Sequence, residues 1–517
     1  MLGKAQMHPM NRIPLRDGVL AAISGLMLTA IFPPLSIDWL AWVSLIPLLL
    51  SLRGKSSIVA IELGLITGLV HYLTLIYWII VVLSHYGNLN PLLSSFALLL
   101  LCLYLAVYAA LFALIWNSLK GDRLSSFWGA CVWVALEYAR AYMMTGFPWC
   151  LLGYSQYLRL TLIQVSDISG VYGVSFIIVL ANLILYHAAF TPHTQRRRPV
   201  ALRVIFLALL MGCILAYGYH STKVKTETTA TESRIRVVIV QGNVDQSIKW
   251  NPAYQEKTVA LYRELSIESG GFRPDLIVWP ETALPFFFQD RTDLSREVFD
   301  VARKTDSSIL FGSPAYEKDG KGITYHNRAY IVSEDRVLDY YDKVHLVPFG
   351  EYVPLRRYLP FIQRVVPAAG DFSSGKNLRP IRAADLRLGT IICFEAIFPE
   401  ISRELATQGA QLLVNLTNDA WFGRTGAPHQ HLSMAVFRCV ENGLSMARAA
   451  NTGISAFILA NGKIVSESPL FDREVLKGEL DVNRTTTFYS QFGDIFAILL
   501  SALAILRLCW KFGIRRR

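Results

Sequence analysis

The sequence predicts an α-helical membrane bundle of about eight spans joined to an α/β domain. Two observations predict this architecture: about eight long apolar segments, and a region of about 270 residues in which short β-rich runs alternate with amphipathic stretches. With 53% hydrophobic and only 17% charged residues, the 517-residue chain is too apolar for an ordinary soluble protein. The excess of apolar residues is therefore expected to face lipid.

Composition also excludes several classes of protein. The seven cysteines are scattered singly, with no CxxC pair and no spacing typical of a disulfide framework or a zinc site. The net charge of +11 is not gathered into a basic patch with interleaved aromatic residues, so nucleic-acid binding is not expected. Basic residues instead flank the apolar segments.

These segments are candidates to cross the roughly 30 Å hydrocarbon core of a bilayer. They cover residues 18–33, 39–52, 57–83, 91–116, 127–144, 162–190, 202–219 and 492–512. The first two are short and could form a re-entrant hairpin broken at Pro33 and Pro34. A signal peptide is the alternative for residues 20–30, but further membrane segments follow it instead of a polar mature domain.

Basic clusters predict the orientation of the bundle. They precede the first span and follow the second, fourth, sixth and eighth spans: Lys4, Arg12 and Arg16; Arg53 and Lys55; Lys120 and Arg123; Arg196 to Arg198; Arg515 to Arg517. With eight spans all five clusters lie on one side of the membrane. The positive-inside rule then predicts cytoplasmic termini and an α/β domain that faces out.

Four domains are predicted from these patterns. They are a transmembrane bundle of about seven spans (1–220), a linker (221–233), an α/β domain (234–488), and a C-terminal membrane helix with a basic tail (489–517). Within the α/β domain, strands are predicted at 235–240, 276–279, 308–311, 330–332, 389–392, 412–416 and 454–459. Helices are predicted at 294–304, 400–407 and 432–450.

Three residues near predicted strand ends could together carry nucleophilic chemistry. A cysteine attacks as the thiolate, so Cys393 needs a nearby base, and Glu281 could take the thiol proton and later return it to a leaving group. Lys343 would supply a fixed positive charge for a tetrahedral oxyanion, together with the Phe394 N–H. Each residue alone is typical of a core or surface position. Their joint occurrence in three extended motifs predicts a catalytic triad.

The motifs resemble those of the nitrilase or carbon–nitrogen hydrolase superfamily, and most fully its membrane branch, the apolipoprotein N-acyltransferases. The matching stretches are Val237 to Gln246, Val278 to Thr282, Asp342 to Pro354, Ile392 to Glu395 and Asn418 to Gly423. With the eight-span layout, the resemblance covers essentially the whole chain and implies an α-β-β-α sandwich for the α/β domain. One difference is Phe394, where members of the family often carry Tyr.

By this resemblance Glu281 is the general base, Lys343 the oxyanion stabiliser and Cys393 the nucleophile that carries an acyl thioester. Glu351 is expected to orient Lys343 or the attacking amine. The remaining supporting or substrate-contacting residues are Trp250, Phe394, Glu395, Asn418 and Trp421. No cofactor or metal is expected.

The resemblance also implies a reaction. A fatty acyl group would move from a phospholipid, expected to be phosphatidylethanolamine, through the Cys393 thioester to the α-amine of the N-terminal S-diacylglyceryl-cysteine of an apolipoprotein. This would be the final step of lipoprotein maturation, in a bacterial inner membrane with the catalytic domain in the periplasm.

Two apolar loops, 283–288 and 355–375, are expected to line the entrance to the site, the second as a mobile lid. Packing onto the sandwich or the bundle is the alternative for both loops.

Two alternatives concern the site. A papain-like pair of Cys393 with His345 would leave Glu281 and Lys343 unexplained. A metal on His429 and His431 lacks a third ligand at a telling spacing, so a structural or site-wall role is favoured for that pair.

Two further alternatives concern the whole protein. A membrane-tethered amidase or nitrilase would use the same triad on a small amide. A transporter with an inactive sensor domain would need ionisable residues within its spans, for which His71 and the pair Glu137 and Arg140 are the main candidates. A structural role is favoured for those three.

Overall fold

The computed structural model describes residues 13–122, 124–190, 197–229, 233–320, 322–353, 371–482 and 486–514. In the amino-terminal half the helices are α1 (Leu15–Ala30), α2 (Ile46–Ser51), α3 (Ser57–Leu75), α4 (Ile79–Val81), α5 (Pro91–Leu119), α6 (Ser125–Tyr142), α7 (Leu160–Ile163), α8 (Ser166–Phe190) and α9 (Arg197–Thr229). The later helices are α10 (Gln246–Lys249), α11 (Pro252–Glu268), α12 (Asp293–Thr305), α13 (Pro399–Thr407), α14 (Ala427–Asn442), α15 (Phe488–Phe492) and α16 (Ile495–Ile514).

Four helices in the described part of the chain are long and apolar enough to cross a membrane. They are Ser57–Leu75, Pro91–Leu119, Ser166–Phe190 and Val200–Lys225. The predicted count of eight spans is not confirmed. The first apolar segment forms only the 16-residue helix α1, which at 1.5 Å per residue is about 24 Å long. The second contains the shorter apolar helical stretch Asp38–Ser51.

The predicted linker is helical over most of its length. Helix α9 continues from its apolar part to Thr229, and the first strand begins at Arg234. Lys225 anchors this extension, because its Nζ donates to Asp167 at 3.0 Å and to Gln164 at 2.9 Å. The described part of the predicted linker, up to Thr229, is therefore the end of helix α9.

Two six-stranded sheets form the carboxyl-terminal half. The strands are β1 (Arg234–Gln241), β2 (Leu276–Val278), β3 (Ser308–Asp319), β4 (Gly322–Ser333), β5 (Arg336–Asp342), β6 (Ile381–Ala383), β7 (Leu386–Ile392), β8 (Leu412–Thr417), β9 (Met446–Ala450), β10 (Ala456–Ile458), β11 (Ile464–Glu467) and β12 (Glu474–Asp481). Their order is β12-β1-β2-β3-β4-β5 in one sheet and β11-β10-β9-β8-β7-β6 in the other. Each sheet has three parallel central strands, β1-β2-β3 and β9-β8-β7, so their carboxyl ends meet at one edge of each sheet.

Three hydrophobic cores stack these elements in layers. One core lies between the sheets and draws side chains such as Ile239 and Val414 from both. A second joins the outer face of the first sheet to α11 and α12. The third joins the second sheet and helices α13 and α14 to the membrane bundle, with Val436 and Leu183 in one cluster. The domain is therefore a helix–sheet–sheet–helix sandwich whose second helical layer packs on the bundle.

The predicted helix at 432–450 is wrong in its second half. Helix α14 ends at Asn442, and Gly443 follows in the left-handed conformation with φ of +66°. That conformation ends helices and suits glycine, which has no side chain to clash. Residues Met446–Ala450 then form strand β9, fully buried between β8 and β10.

Candidate active site

In the structure, each of the three predicted triad residues follows a strand closely. Glu281 lies three residues after β2, Lys343 directly follows β5, and Cys393 directly follows β7. All three side chains are buried, with exposed fractions of 7%, 1% and 8%. Because β2 and β7 belong to different sheets, the site lies where the two layers of the sandwich face each other.

Lys343 lies between two carboxylates. Its Nζ is 2.9 Å from Glu351 and 3.7 Å from Glu281. Burial alone would lower the pKa of the Lys343 ammonium, but Glu351 and Glu281 outweigh that effect and raise it. The lysine is therefore a permanent cation at neutral pH, which suits a role as an electrostatic group and rules out one as a base.

Asn327 on strand β4 joins the two carboxylates from another side. Its Nδ2 donates to Glu281 Oε1 at 2.8 Å and to Glu351 Oε1 at 2.9 Å. Asn327 also contacts Lys343, because the backbone N of Lys343 donates to the Asn327 carbonyl at 2.9 Å. No motif in the sequence singles out Asn327, because one amide in an ordinary strand carries no spacing signal.

Cys393 starts a short 3₁₀ turn, Cys393–Ile397, and has a φ of +52°. A residue other than glycine pays strain energy in this left-handed region, and such residues cluster at functional sites. Burial raises the pKa of the Cys393 thiol, the nearby Glu281 raises it further, and Lys343 opposes both. The thiol is thus protonated at neutral pH, so attack by its sulfur requires a base.

Glu281 is suited to be that base. Burial raises the pKa of its carboxyl, which makes it a stronger proton acceptor than an exposed glutamate, while Lys343 opposes the shift. His345, the alternative base, stacks on Phe398 with 3.7 Å between ring centroids. Burial and then the Lys343 charge lower the pKa of His345 to about 4, which makes it a weak base.

Glu395 connects the backbone turn that follows Lys343 to the turn that starts at Cys393. It is fully buried, and its Oε1 accepts from Tyr341 Oη at 2.9 Å, Val344 N at 2.7 Å and His345 N at 3.1 Å. Its Oε2 accepts from Ile392 N at 2.7 Å. The backbone directly after Lys343 and directly before Cys393 is therefore held by a single carboxylate, which is a structural role.

The other predicted supporting residues are spread around the site. Asn418 is buried, donates to Gln246 at 2.7 Å and accepts from Asn451 at 3.2 Å. Trp421 and Trp250 are exposed, and Trp421 meets Tyr86 edge to face with 5.4 Å between ring centroids. Their position fits the rim of a site. Phe394 is partly buried and packs with His345 and Phe398.

Helix α14 connects the site to the membrane bundle through two adjacent residues. The Gln430 Oε1 accepts from the indoles of Trp78 at 3.2 Å and Trp149 at 2.8 Å, and its Nε2 donates to two bundle carbonyls. His431 lies 3.1 Å from the Cys393 carbonyl through Nε2. Since a carbonyl only accepts, Nε2 carries the proton.

The opposite side of His431 contacts a buried ion pair. Its Nδ1 lies 3.1 Å from both Asp419 and Arg448, which pair with each other at 2.8 Å. Burial and the Arg448 charge lower the pKa of His431, so the ring is neutral and accepts from Arg448. In the described residues no group of three or more His, Cys, Asp or Glu could hold a metal. His429 is exposed, unlike His431, and the favoured wall role fits His431 alone.

An open cavity of about 580 Å³ adjoins the Glu281 loop. Aromatic and proline residues dominate its lining, among them Trp250, Pro285, Phe286, Phe287 and Phe372. Half of the predicted entrance loop 283–288 therefore lines it. Most of the second loop, 355–375, lies outside the described residues, which resume at Asp371.

The sequence matches two family models that together span most of the chain. The apolipoprotein N-acyltransferase N-terminal domain matches residues 24–184, and the carbon–nitrogen hydrolase family matches residues 236–489. An apolipoprotein N-acyltransferase from Geobacter metallireducens is 44% identical over 503 residues, covering 96% of this chain and 95% of the relative.

The chain belongs to the apolipoprotein N-acyltransferase family. Relatives of the same name from Haemophilus influenzae (32% identical) and Methylococcus capsulatus (34%) also cover 96% of this chain, and 95% and 96% of their own lengths. Membership in this family makes the chain an acyltransferase of lipoprotein maturation with a nitrilase-like domain. It also implies a lipoprotein substrate and a membrane setting, with which the apolar helices agree.

Proposed function

We propose that this N-acyltransferase moves a fatty acyl group from a phospholipid to the α-amine of an N-terminal S-diacylglyceryl-cysteine on an apolipoprotein. The acyl group is carried between them as a thioester on Cys393, so the reaction is ping-pong. One observation supports this most: a buried cysteine, a buried base and a permanent cation come together in a sandwich that packs directly on an apolar helical bundle. Both substrates are lipids and must be met where they dissolve.

In the first half-reaction Glu281 accepts the Cys393 thiol proton, and the sulfur attacks the ester carbonyl carbon of the phospholipid. Lys343 and the Phe394 N–H stabilise the resulting oxyanion. The carbon–oxygen bond then breaks, and Glu281 returns its proton to the leaving lysophospholipid. Phosphatidylethanolamine is the proposed donor.

In the second half-reaction the lipoprotein amine attacks the thioester carbonyl carbon. Glu281 takes the proton from the attacking nitrogen, the carbon–sulfur bond breaks, and the proton passes to the Cys393 sulfur. The product is an amide. Glu351 holds Lys343 in place throughout, while Trp250 and Trp421 contact substrate at the rim.

The proposed setting is the bacterial inner membrane, with both termini in the cytoplasm and the domain over residues 234–488 on the periplasmic side. This orientation follows from the basic clusters beside the apolar segments, such as Arg53 and Lys55. An apolar surrounding would also keep water, the competing nucleophile, from the thioester.

Intact-protein mass spectrometry tests the proposal. Wild-type protein incubated with phosphatidylethanolamine should gain the mass of one fatty acyl group, and hydroxylamine should remove it because it cleaves thioesters. Cys393→Ala should gain nothing, whereas Cys439→Ala, a buried cysteine elsewhere, should still be acylated. Hydrolysis of short amides without any acyl adduct would instead favour an amidase.

Asn327→Asp should slow thioester formation by about 100-fold at neutral pH, because it replaces a shared donor by a third carboxylate between Glu281 and Glu351. The acid-side loss of rate should begin at a higher pH than in the wild type, because the added negative charge makes Glu281 hold its proton to higher pH. Asn251→Asp is the matched control, since this exposed residue caps a helix and aspartate caps equally well. A rate that stays at the wild-type level would rule out this role for Asn327.

A further inference from the structure

Lys249 is a second buried lysine beside the site. It is the last residue of the short helix α10 and is only 1% exposed, while its neighbour Trp250 is exposed. A buried ammonium is costly unless a partner compensates it, so its surroundings identify its task.

The partner of Lys249 is the turn that carries Glu281. Lys249 Nζ donates to the Glu281 carbonyl oxygen at 3.3 Å. On the other side of that turn, Gly312 N donates to the Pro280 carbonyl at 3.1 Å. A Cβ on Gly312 would come within 2.4 Å of Thr282 N, so β3 and the turn are in close contact. The turn is therefore held between β3 and Lys249.

The charges around Glu281 come from several elements. Lys343 and Glu351 face it from the region after β5, the Cys393 thiol from the end of β7, and Lys249 from α10. Further out, Asp419 acts on Cys393, and His345 is neutral at pH 7. Without Lys249, Lys343 would be the single positive charge facing the two carboxylates Glu281 and Glu351. Lys249 supplies a second positive charge.

We propose that Lys249 is a positioning residue that holds the Glu281 turn and keeps the Glu281 carboxyl ionised, ready to accept the Cys393 proton. This role rests on the proposed function of Glu281 as the base. Without the second cation, Glu281 would share one lysine with Glu351 and would hold a proton to higher pH. Burial lowers the pKa of Lys249 to about 8, while Glu281 opposes that shift, so the ammonium form predominates at neutral pH.

The test is the pH dependence of Cys393 alkylation in the full-length protein in detergent micelles. Iodoacetamide needs no lipid substrate, and peptide mass spectrometry reports the rate at Cys393 between pH 5 and pH 9. Lys249→Gln keeps a hydrogen-bond donor but removes the charge, whereas Lys249→Arg keeps the charge. We expect the acid-side midpoint to rise by about one pH unit in Lys249→Gln. It should stay at the wild-type value in Lys249→Arg and in the exposed control Lys257→Gln.

Two results would overturn the proposal. One is an unchanged midpoint in Lys249→Gln, including a rate lowered equally at every pH, which a purely structural role would give. The other is a raised midpoint in Lys249→Arg, which would carry the test alone if the glutamine variant did not fold. Failure of the proposed function has a separate signature, because wild-type protein would then form no thioester with phospholipid while the alkylation midpoint still moved.

Discussion

Lys343→Met should slow acylation of Cys393 by about 100- to 1,000-fold, the usual cost of removing one group that stabilises an oxyanion. The variant also leaves Glu281 and Glu351 facing each other without the cation that lies 3.7 Å and 2.9 Å from them. Two like charges in a buried site disfavour joint ionisation, so one carboxyl should hold a proton at neutral pH. The proposed base would then be lost together with the proposed oxyanion stabiliser.

The same variant should have an altered dependence of stability on pH. In the folded variant the carboxyl pKa lies above its unfolded value, so its stabilising contribution is complete at low pH and is lost as the pH rises through the folded pKa. The melting temperature should therefore fall from pH 5 to pH 8 more steeply than in the wild type. Acylation is followed by mass spectrometry and melting by intrinsic fluorescence. The exposed lysine variant Lys477→Met is the control, and near-wild-type acylation of Lys343→Met would contradict its assignment.

Glu395→Gln should destabilise the protein by about 2 to 4 kcal/mol and slow acylation by tenfold or more. The glutamine amide cannot accept all four hydrogen bonds that the carboxylate accepts. One oxygen position becomes a donor, and the outcome of least cost places it against the Ile392 N–H, leaving two buried donors facing each other. Each buried group without a partner costs about 1 to 3 kcal/mol.

The distinguishing readout for Glu395 is the combination of both losses. Because Glu395 joins the turns that carry Lys343 and Cys393, loosening it should lower the acylation rate even below the melting temperature. Glu479→Gln serves as the control, since Glu479 is half exposed and its 3.7 Å pair with Arg234 is a surface ion pair of little energetic value. A Glu395→Gln protein with wild-type melting and acylation would show that the two turns are held by other contacts.

Sequence patterns predicted most strands because their apolar runs are short and rich in β-branched residues. They failed at Met446–Ala450, where alanine, methionine and arginine favour a helix and only burial between β8 and β10 makes the segment a strand. The predicted count of eight spans is not confirmed, for a related reason. Apolar composition does not reveal where a helix stops, and the helix α1 ends at Ala30 before it reaches the thickness of a bilayer.

For the site, motif resemblance located Glu281, Lys343 and Cys393, and the structure brings them to the same place. It could not locate Asn327 or Lys249. Asn327 is brought to Glu281 by the pairing of β4 with β3, and Lys249 by the turn after β1. Neither arrangement produces a recognisable spacing of residues in the sequence. The fastening role of Glu395 was likewise visible only once its four donors could be seen.

Gln430 and His431 are adjacent on α14, and together they connect the helical bundle to Cys393. The Gln430 side chain bonds indoles and carbonyls of the bundle, and the His431 side chain bonds the carbonyl of Cys393. The position of the Cys393 residue is thus set relative to the helical bundle. A shift of the turns that carry Trp78 and Trp149 would be transmitted to Cys393 through the peptide unit that joins Gln430 and His431. The position of Cys393 in the α/β domain therefore depends on how the helical bundle is packed.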